Sequence, residues 1–585
     1  MLQKEDKKMG YMDIYNEWLS NPYFDEETKK ELRSIADDEK EIKERFYTDL
    51  EFGTAGLRGI IGAGINRMNI YVVRRATQGL ANYIIAQNGK GKGVAIAFDS
   101  RRMSPEFAQE AALTLAANGI KAYIFESLRP TPELSFAVRE LGCIAGINIT
   151  ASHNPPDYNG YKVYWEDGAQ FTPPHDKGVT KEVLAITDLS TVKTMKKEEA
   201  IEKGLYEVIG KEIDDKFIGH VKAQVVNQDC IDKMQDQIKI VYTPLHGTGN
   251  IPARRALHEL GFKHVYVVPE QEWPDGEFPT VSYPNPEAEE AFSLGLELAK
   301  KIDADLVLAT DPDADRLGVY VKDSKSGDYI PLTGNMSGAL LCDYVLSQKK
   351  ANGQIPADGA VVKSIVSTNL IDAVAKGYEV DLIEVLTGFK YIGQQILKME
   401  QTGKGTYLFG MEESYGCLIG TYARDKDAIS ATVALCEAAC YYKAQGKTLW
   451  DAMVEMYETY GYYYDSVKAI TLAGIEGIAK IKEILETLRT NTPTQFGGYE
   501  VVSARDYQAD TIKNMKTGEV TPTGLPTSNV LYYDLSDDAW LCVRPSGTEP
   551  KVKFYYGVKG SSLTDAKEKS DALGEEVLAM INKML

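Results

Sequence analysis

Hydrophobic runs that fit buried strands alternate with helix-forming stretches in three similar units along the chain. Each unit is predicted to hold a strand, a loop, a helix and a second strand, with the strands at 94–99 and 121–125, at 238–242 and 264–268, and at 360–366 and 380–385. Ser104 and Pro105 fit the start of the first helix, and Asn118-Gly119 fits its end. Ser367 and Thr368 fit a cap for the third. The pattern predicts three related α/β domains whose parallel strands are joined by right-handed crossovers.

The two ends of the chain follow different patterns. Residues 1–45 are rich in Glu and Lys with scattered aromatic residues, which predicts a helical extension. Near the other end, strand-like runs at 541–543 and 551–558 precede an amphipathic helix at 562–585, which predicts a smaller α+β domain. The predicted segments are 1–45, 46–215, 216–335, 336–458 and 459–585.

Composition and charge exclude several classes of function. Hydrophobic residues make up 44% of the chain and charged residues 26%, as in ordinary globular proteins, and no apolar run approaches the length of a membrane span. The formal net charge of −20 argues against a nucleic-acid partner and requires that any anionic substrate be held by local arginines and backbone amides. Seven cysteines without a Cys-x-x-Cys pair argue against a disulfide framework or a zinc knuckle. The charged start at residues 1–8 does not fit a secretory signal, so a cytoplasmic location is expected.

The loop at 150–164 carries the first candidate chemistry. It follows a predicted buried strand and holds Ser152, His153 and Lys162. Open α/β sheets place their chemistry at the carboxyl ends of strands, so Ser152 is a candidate nucleophile beside a titratable ring and a cation that suits phosphate. For a Ser-His pair alone, a solvated turn is the alternative interpretation.

A second loop carries aspartates at alternate positions, Asp311, Asp313 and Asp315. Such carboxylates can converge on one hard cation, and without a cation they would repel one another. A calcium EF-hand is excluded, because Arg316 and Lys322 stand where that motif needs Gly and Glu. The alternative is a solvated loop. The spacing predicts a metal site, with Mg²⁺ favoured if a phosphate completes the coordination shell.

A third candidate is the strand end at 408–416, where Glu412, Glu413 and Ser414 suit the hydroxyl groups of a sugar. Thr387-Gly388 follows the last strand of the third unit and could contribute, and Lys426 lies just beyond as a lysine that could titrate. Alone, this loop could equally be a charged turn.

A fourth candidate is the loop at 543–551, which contains Arg544, Ser546, Gly547 and Thr548. A guanidinium fork, two hydroxyls and free backbone amides are the chemistry of an oxyanion-binding loop. The alternative is a surface turn.

The four motifs together, Thr-Ala-Ser-His-Asn-Pro, Asp-Pro-Asp-Ala-Asp-Arg, Gly-Met-Glu-Glu-Ser and Arg-Pro-Ser-Gly-Thr-Glu-Pro, resemble the α-D-phosphohexomutase superfamily in content, order and separation. The glycine-rich stretch at 52–60 around Arg58 and the Asp-Tyr-Asn-Gly-Tyr-Lys sequence resemble its phosphoglucomutase branch, which also includes phosphopentomutases. The resemblance implies a fold of four domains around a central cleft: three related α/β domains with mixed sheets and a smaller α+β domain.

The resemblance also implies a role for each matched residue. Ser152 would carry the phosphate and, with Asp311, Asp313 and Asp315, would hold one Mg²⁺. Arg58, His153 and Lys162 would line the transfer site, and Lys426 would transfer a proton. The sugar contacts would come from Arg316, Thr387, Gly388, Glu412 and Ser414. The phosphate that is not transferred would be held by Arg544, Ser546, Gly547 and Thr548.

The implied reaction converts glucose 1-phosphate into glucose 6-phosphate through a phosphoserine and glucose 1,6-bisphosphate. Phosphopentomutase and phosphomannomutase are alternatives that would use the same residues. A metal-dependent phosphatase and a non-catalytic phosphosugar-binding protein are alternatives from other classes. In each case the expected partners are small sugar phosphates, with no nucleic acid and no membrane.

Overall fold

The computed structural model describes residues 10–52, 56–472, 474–546 and 551–585. The α-helices are α1 Tyr11–Ser20, α2 Glu26–Ser34, α3 Glu39–Phe46, α4 Ile70–Ala86, α5 Ser104–Ala117, α6 Thr131–Glu140, α7 His175–Leu184, α8 Lys197–Glu202, α9 Lys211–Lys222, α10 Gln228–Met234, α11 Asn250–Glu259, α12 Ser293–Ile302, α13 Gly334–Ala351, α14 Leu370–Gly377, α15 Phe389–Thr402, α16 Ala428–Lys443, α17 Leu449–Tyr460, α18 Gly474–Thr490 and α19 Leu563–Asn582. Among these described helices, none has the length and apolar content needed to cross a bilayer.

The strands of the described residues form four sheets. Their bounds are β1 Leu57–Ile60, β2 Val94–Phe98, β3 Ala122–Phe125, β4 Ala145–Ile149, β5 Tyr158–Trp165, β6 Tyr206–Ile209, β7 Ile240–Thr243, β8 Val265–Val267, β9 Leu306–Thr310, β10 Leu317–Lys322, β11 Tyr329–Leu332, β12 Gly359–Ser364, β13 Asp381–Val385, β14 Thr406–Glu412, β15 Gly416–Leu418, β16 Tyr462–Thr471, β17 Gln495–Phe496, β18 Tyr499–Asp506, β19 Thr511–Asn514, β20 Val520–Thr521, β21 Leu531–Leu535, β22 Trp540–Pro545 and β23 Lys551–Gly560.

The first three sheets share one strand order. They run β1-β5-β4-β2-β3-β6, β11-β10-β9-β7-β8 and β15-β14-β12-β13. In each sheet the first strand of the repeat (β2, β7 or β12) lies between two parallel partners. Antiparallel pairs, such as β4 with β5 and β14 with β15, make the sheets mixed. This arrangement confirms the predicted fold class.

Local sequence accounts for most of these elements. The side chains of β2 and β4 are buried along their whole length, as in strands covered on both faces. Helix α5 begins at Ser104 with Pro105 in its first turn and ends at an Asn118 cap, as predicted. The predicted cap of the third unit is different. Asn369 is the N-cap of α14 and makes no side-chain cap bond, whereas the Thr368 hydroxyl accepts from the Leu370 N–H at 3.2 Å.

Helices α1–α3 pack their aromatic side chains together with Tyr71 of α4. Trp18 stacks on Phe24 with ring centroids 4.1 Å apart, and Phe46 and Tyr71 meet the same indole edge-on. This aromatic cluster attaches the N-terminal helices to the first α/β domain. Residues 1–9 of the predicted extension lie outside the described residues.

The fourth sheet is antiparallel, in the order β16-β23-β22-β21-β18-β19-β20 with β17 beside β18. Helices α18 and α19 supply Leu485, Leu488, Leu573 and Val577 to one core against this sheet. Strands followed by helices in this way are the α+β pattern predicted for this end of the chain.

The contacts divide the chain into two compact units. Unit 1 contains residues 1–225, 239–318 and 420–433, and unit 2 contains residues 226–238, 319–419 and 434–585.

Candidate active site

Ser152 stands three residues beyond the end of β4 with a left-handed backbone, φ 51°. Its N–H donates to the Thr150 hydroxyl at 2.8 Å, and its Oγ donates to Oδ2 of Asp311 at 2.7 Å. Nδ1 of His153 lies 3.1 Å from the same Oγ. Only 3% of Ser152 is exposed. The predicted nucleophile is therefore held against the predicted metal loop, although the two are 159 residues apart in sequence.

The three aspartates of the metal loop converge. Each of Asp311, Asp313 and Asp315 is buried, and one carboxylate oxygen from each lies within 4.8 Å of the others. Oδ1 of Asp311 curls the loop by accepting from the N–H groups of Asp315 (3.1 Å) and Arg316 (3.0 Å). Oδ1 of Asp313 and Oδ1 of Asp315 are buried with no hydrogen-bond partner among the described residues. Carboxylate oxygens left with free lone pairs in this way fit the ligand set of one hard cation.

Two lysines flank these carboxylates. Nζ of Lys162 lies 2.6 Å from Asp313 and 3.5 Å from Asp315. Nζ of Lys426 lies 3.1 Å from Asp315 and 3.2 Å from Asp425. The ammonium groups offset part of the repulsion among the carboxylates.

Burial and neighbouring charges set opposite protonation preferences in this cluster. Burial and the carboxylates of Asp313 and Asp315 raise the pKa of Asp311 well above its usual range. Burial opposes the charged form of Asp313, but Lys162 outweighs it and lowers the pKa of that carboxyl. Burial also opposes the charged form of Lys162, but Asp313 and Asp315 raise its pKa. The pair Lys162 and Asp313 is therefore fully ionised at neutral pH.

His153 is neutral at the same pH. Burial, followed by the guanidinium charges of Arg316 and Arg58, holds its pKa well below the usual value. A neutral imidazole beside Ser152 has one ring nitrogen that can accept a proton.

The two predicted arginines of unit 1 lie near these loops. Nη1 of Arg58 donates to the side chain of Asn154 at 3.0 Å, which places it beside the Ser152 loop. Nη1 of Arg316 donates to Glu287 at 2.7 Å. Gly53, Thr54 and Ala55 of the glycine-rich stretch before Arg58 lie outside the described residues.

Sequence reasoning missed the residues that support the metal loop. The Thr131 hydroxyl donates to Oδ2 of Asp313 at 2.7 Å, and its N–H donates to the Asp313 carbonyl at 2.8 Å. On the other side, the Thr248 N–H donates to the Pro312 carbonyl at 2.8 Å. Gly247 has to be glycine, because a Cβ there would lie 2.4 Å from Cα of Pro312. Thr131 is the first residue of α6, after the loop that follows β3, and Thr248 lies in the loop after β7. Their position just beyond the ends of parallel strands is the one sequence signal that could have indicated them.

A second missed set fixes Lys426. Oδ2 of Asp425 accepts from the Tyr164 hydroxyl at 2.9 Å and from the Gln170 amide at 3.1 Å. Oδ1 of Asp425 accepts from the Lys426 backbone N–H at 2.9 Å. Asp425 thereby ties the lysine loop to β5, the strand that also carries Lys162.

Unit 2 contains the remaining predicted residues that are described: Thr387, Gly388, Glu412, Ser414, Arg544 and Ser546. The Gly388 N–H donates to Oε1 of Glu412 at 2.6 Å, so the two predicted sugar loops meet. Burial and the adjacent Glu412 raise the pKa of Glu413 to about 7, and the positive charge of Arg544 partly opposes this rise. Gly547 and Thr548 lie outside the described residues.

Family profiles match most of the chain. The profiles for domains I, II and III of phosphoglucomutase/phosphomannomutase match residues 49–190, 215–327 and 333–460. A phosphoglucomutase from Staphylococcus epidermidis is 36% identical over 561 residues, covering 94% of this chain and 96% of the relative. A phosphoglucomutase from Staphylococcus aureus is 36% identical over 534 residues, covering 91% and 94%. This chain belongs to the phosphoglucomutase/phosphomannomutase family.

Solved structures of the family show the same fold. Parafusin, a phosphoglucomutase from Paramecium in its open form, superposes with a TM-score of 0.67 at 18% identity, covering 92% of this chain and 95% of that one. A phosphoglucomutase/phosphomannomutase family protein from Burkholderia thailandensis gives 0.63 at 19% identity, covering 90% and 97%. Family membership confirms the superfamily that the four motifs resembled.

Proposed function

We propose that this chain is a phosphoglucomutase that interconverts glucose 1-phosphate and glucose 6-phosphate through a phosphorylated Ser152 and glucose 1,6-bisphosphate. The observation that carries the proposal is the 2.7 Å hydrogen bond from the Ser152 hydroxyl to Asp311, within a buried cluster of three carboxylates. Relatives named phosphoglucomutase, 36% identical over 94% and 91% of the chain, support the choice of substrate.

The proposed cycle has two phosphoryl transfers. In the first, the P–O bond to Ser152 breaks as a P–O bond to O6 of glucose 1-phosphate forms. The O6 proton passes to the neutral imidazole of His153 or to Lys426 in its neutral amine form, and Oγ of Ser152 takes up a proton. The bisphosphate then reorients so that its C1 phosphate faces Ser152. In the second transfer, the P–O bond at C1 breaks as the Ser152 phosphoester forms again, Oγ of Ser152 gives up its proton and O1 takes one up, which leaves glucose 6-phosphate. Such transfers depend on positioning and charge stabilisation more than on covalent assistance.

Asp311, Asp313 and Asp315, together with the phosphate on Ser152, would hold one divalent cation, for which we propose Mg²⁺. Bound there, Mg²⁺ would neutralise charge on the transferring phosphoryl oxygens. Lys162 supplies a second positive charge from the protein itself, since its ammonium group already lies 2.6 Å from Asp313. Arg58 and His153 line the same transfer site.

The substrate has to bind in two orientations, so the groups that hold it must be separate from those that transfer phosphate. We assign the sugar hydroxyls to Thr387, Gly388, Glu412, Ser414 and Arg316. We assign the distal phosphate to Arg544, Ser546, Gly547 and Thr548. The Gly388–Glu412 hydrogen bond and the charge of Arg544 beside Glu413 support the grouping within unit 2.

A substrate panel tests the proposal. The purified protein is incubated with Mg²⁺, trace glucose 1,6-bisphosphate and the 1-phosphates of glucose, mannose, ribose and N-acetylglucosamine, and the products are followed by ³¹P NMR. We expect glucose 6-phosphate to form with the highest kcat/KM, and no product to form with Ser152→Ala. A higher kcat/KM for ribose or mannose 1-phosphate would make the chain a phosphopentomutase or a phosphomannomutase. Release of inorganic phosphate would indicate a phosphatase, and a stable phosphoserine without turnover would indicate a binding protein.

A further inference from the structure

Arg101 is a fully buried arginine that sequence reasoning did not select. It lies in the loop after β2, and only 1% of it is exposed. None of its described contacts is with a residue predicted to bind the sugar. Its guanidinium donates to four backbone carbonyls of one loop. They are those of Ser152 at 2.7 Å, Asn154 at 2.5 Å, Pro155 at 2.7 Å and Tyr158 at 3.0 Å.

Two further contacts fix Arg101 itself. Its Nε lies 3.3 Å from Oδ2 of Asp99, and Oδ1 of Asp99 accepts from the Arg101 N–H and from the Ser104 hydroxyl. The guanidinium also lies over the ring of Phe278, 5.0 Å from its centroid. A planar fork held on both sides in this way can hold several carbonyls at fixed separations, which a flexible ammonium cannot do.

The loop needs such a support because Ser152 has an unfavourable backbone conformation. A left-handed φ of 51° is unfavourable for a serine and persists only where contacts from the surrounding structure hold it. The Ser152 carbonyl is held by Arg101 and its N–H by Thr150, one on each side of the strained Cα. Relaxation to an ordinary φ would swing Oγ away from Asp311.

We propose that Arg101 is a positioning residue for phosphoryl transfer: it holds the Ser152 loop by its backbone, so that the phosphate carried on Ser152 stays aligned with the metal loop. This inference rests on the proposed function. Arg101 lies beneath the loop and binds no substrate. Its loss should therefore slow the transfer step without weakening the binding of the sugar phosphate.

The alternative to positioning is that the positive charge of Arg101 acts directly on the metal loop, since the guanidinium interacts electrostatically with Asp311 and Asp313. Arg101→Lys separates the two roles. It keeps a positive charge beside Asp99, but a single ammonium nitrogen cannot reach all four carbonyls. Arg101→Met removes both the charge and the hydrogen bonds.

Arg102 offers a matched control. It is the next residue, it donates to the Pro156 carbonyl of the same loop at 3.2 Å, and it pairs with Glu277 at 3.2 Å. Its side chain is 49% exposed, so both contacts are made in solvent and Arg102→Met should change the transfer rate by no more than about threefold.

The test is a single turnover. Wild-type and variant phosphoenzymes are mixed with increasing glucose 1-phosphate, and the loss of phosphoserine is followed by quenched flow and mass spectrometry. For Arg101→Met we expect a maximal rate about a hundredfold lower, the scale of a small misplacement of reacting groups. The half-saturating concentration should be unchanged. The maximal rate of Arg101→Lys should be at least about tenfold lower than that of wild type.

A maximal rate within about threefold of wild type for Arg101→Met would overturn the proposal, as would an effect confined to the half-saturating concentration. A wild-type rate for Arg101→Lys would overturn it in favour of charge alone. If Arg101→Met does not fold, the Lys variant decides by the same criteria.

Hydrogen exchange gives a readout that does not depend on the reaction. In the unphosphorylated protein, the backbone N–H groups of residues 152–154, 157 and 158 should exchange faster in the Arg101 variants than in wild type or in Arg102→Met. Equal exchange would contradict the positioning role. A wild-type enzyme that fails to transfer phosphate at all would refute the proposed function, and the exchange comparison would still decide on Arg101.

Discussion

Thr131→Val is the sharpest test of the metal loop, because it removes one oxygen atom without changing the shape of the side chain. The Thr131 hydroxyl donates to the Asp313 carboxylate at 2.7 Å and accepts from the Asn148 amide at 2.8 Å. A hydrogen bond to a charged group contributes about 1.5–3 kcal/mol. Because every 1.4 kcal/mol is a factor of ten, its loss should weaken metal binding about 10- to 150-fold. Losses of metal affinity of this size are typical when a residue is removed that hydrogen-bonds to a metal ligand without binding the metal itself.

The assay is the Mg²⁺ concentration that gives half-maximal mutase activity, measured after EDTA treatment and dialysis. Thr77→Val is the matched control, because Thr77 is also a buried threonine of unit 1, with its hydroxyl 3.0 Å from that of Tyr161. The control should lower the thermal midpoint and leave the Mg²⁺ requirement unchanged. An unchanged requirement in Thr131→Val, or an equal shift in both variants, would refute the reasoning. Full activity in EDTA would refute the metal site itself.

Three further outcomes are expected. Intact-mass analysis should find one phosphate on Ser152, and Ser152→Ala should lose turnover by about four orders of magnitude or more while remaining folded; near-normal turnover would exclude it as the carrier. Arg544→Ala should weaken glucose 1-phosphate binding by about 1.5–3 kcal/mol, the value of a charge-assisted pair; an unchanged KM would exclude its phosphate role. Burial raises the pKa of Glu437 to about 7, so its contribution to the stability of unit 2 is lost as pH rises through 7. Glu437→Gln should therefore flatten the fall in the unfolding midpoint between pH 4.5 and pH 7, and an unchanged slope would contradict this.

Position after a buried strand was enough to predict the separate parts of the centre of the site. Ser152 follows one such strand and the three aspartates follow another, and open α/β sheets place their chemistry at strand ends. That these residues, about 160 positions apart, share one site was implied only by the resemblance to the phosphohexomutases, because spacing in a single sequence does not show which loops meet.

The supporting residues carried no such signal. Thr131 reaches Asp313 across 182 positions, and Tyr164 reaches Asp425 across 261. Each is a common residue type whose value comes from one partner that only tertiary structure brings near. Arg101 resembles any surface arginine in the sequence, and only its burial beneath the Ser152 loop distinguishes it from Arg102. The cap predicted for the helix of the third unit was wrong for a smaller reason. Ser367, Thr368 and Asn369 are consecutive polar residues that all suit a cap, and the sequence does not show which of them is the last residue before the helix.

The strand order shared by the first three sheets has a consequence for how the site can change. The loops after β4, β9 and β14 take the same position in their sheets, yet one carries the proposed nucleophile, one the proposed metal ligands and one the proposed sugar-binding groups. The strands before these loops are held in place by buried side chains, most of them apolar. Substitutions in one loop therefore leave the strands of all three sheets in place, so each loop can acquire its own chemistry without a change of scaffold.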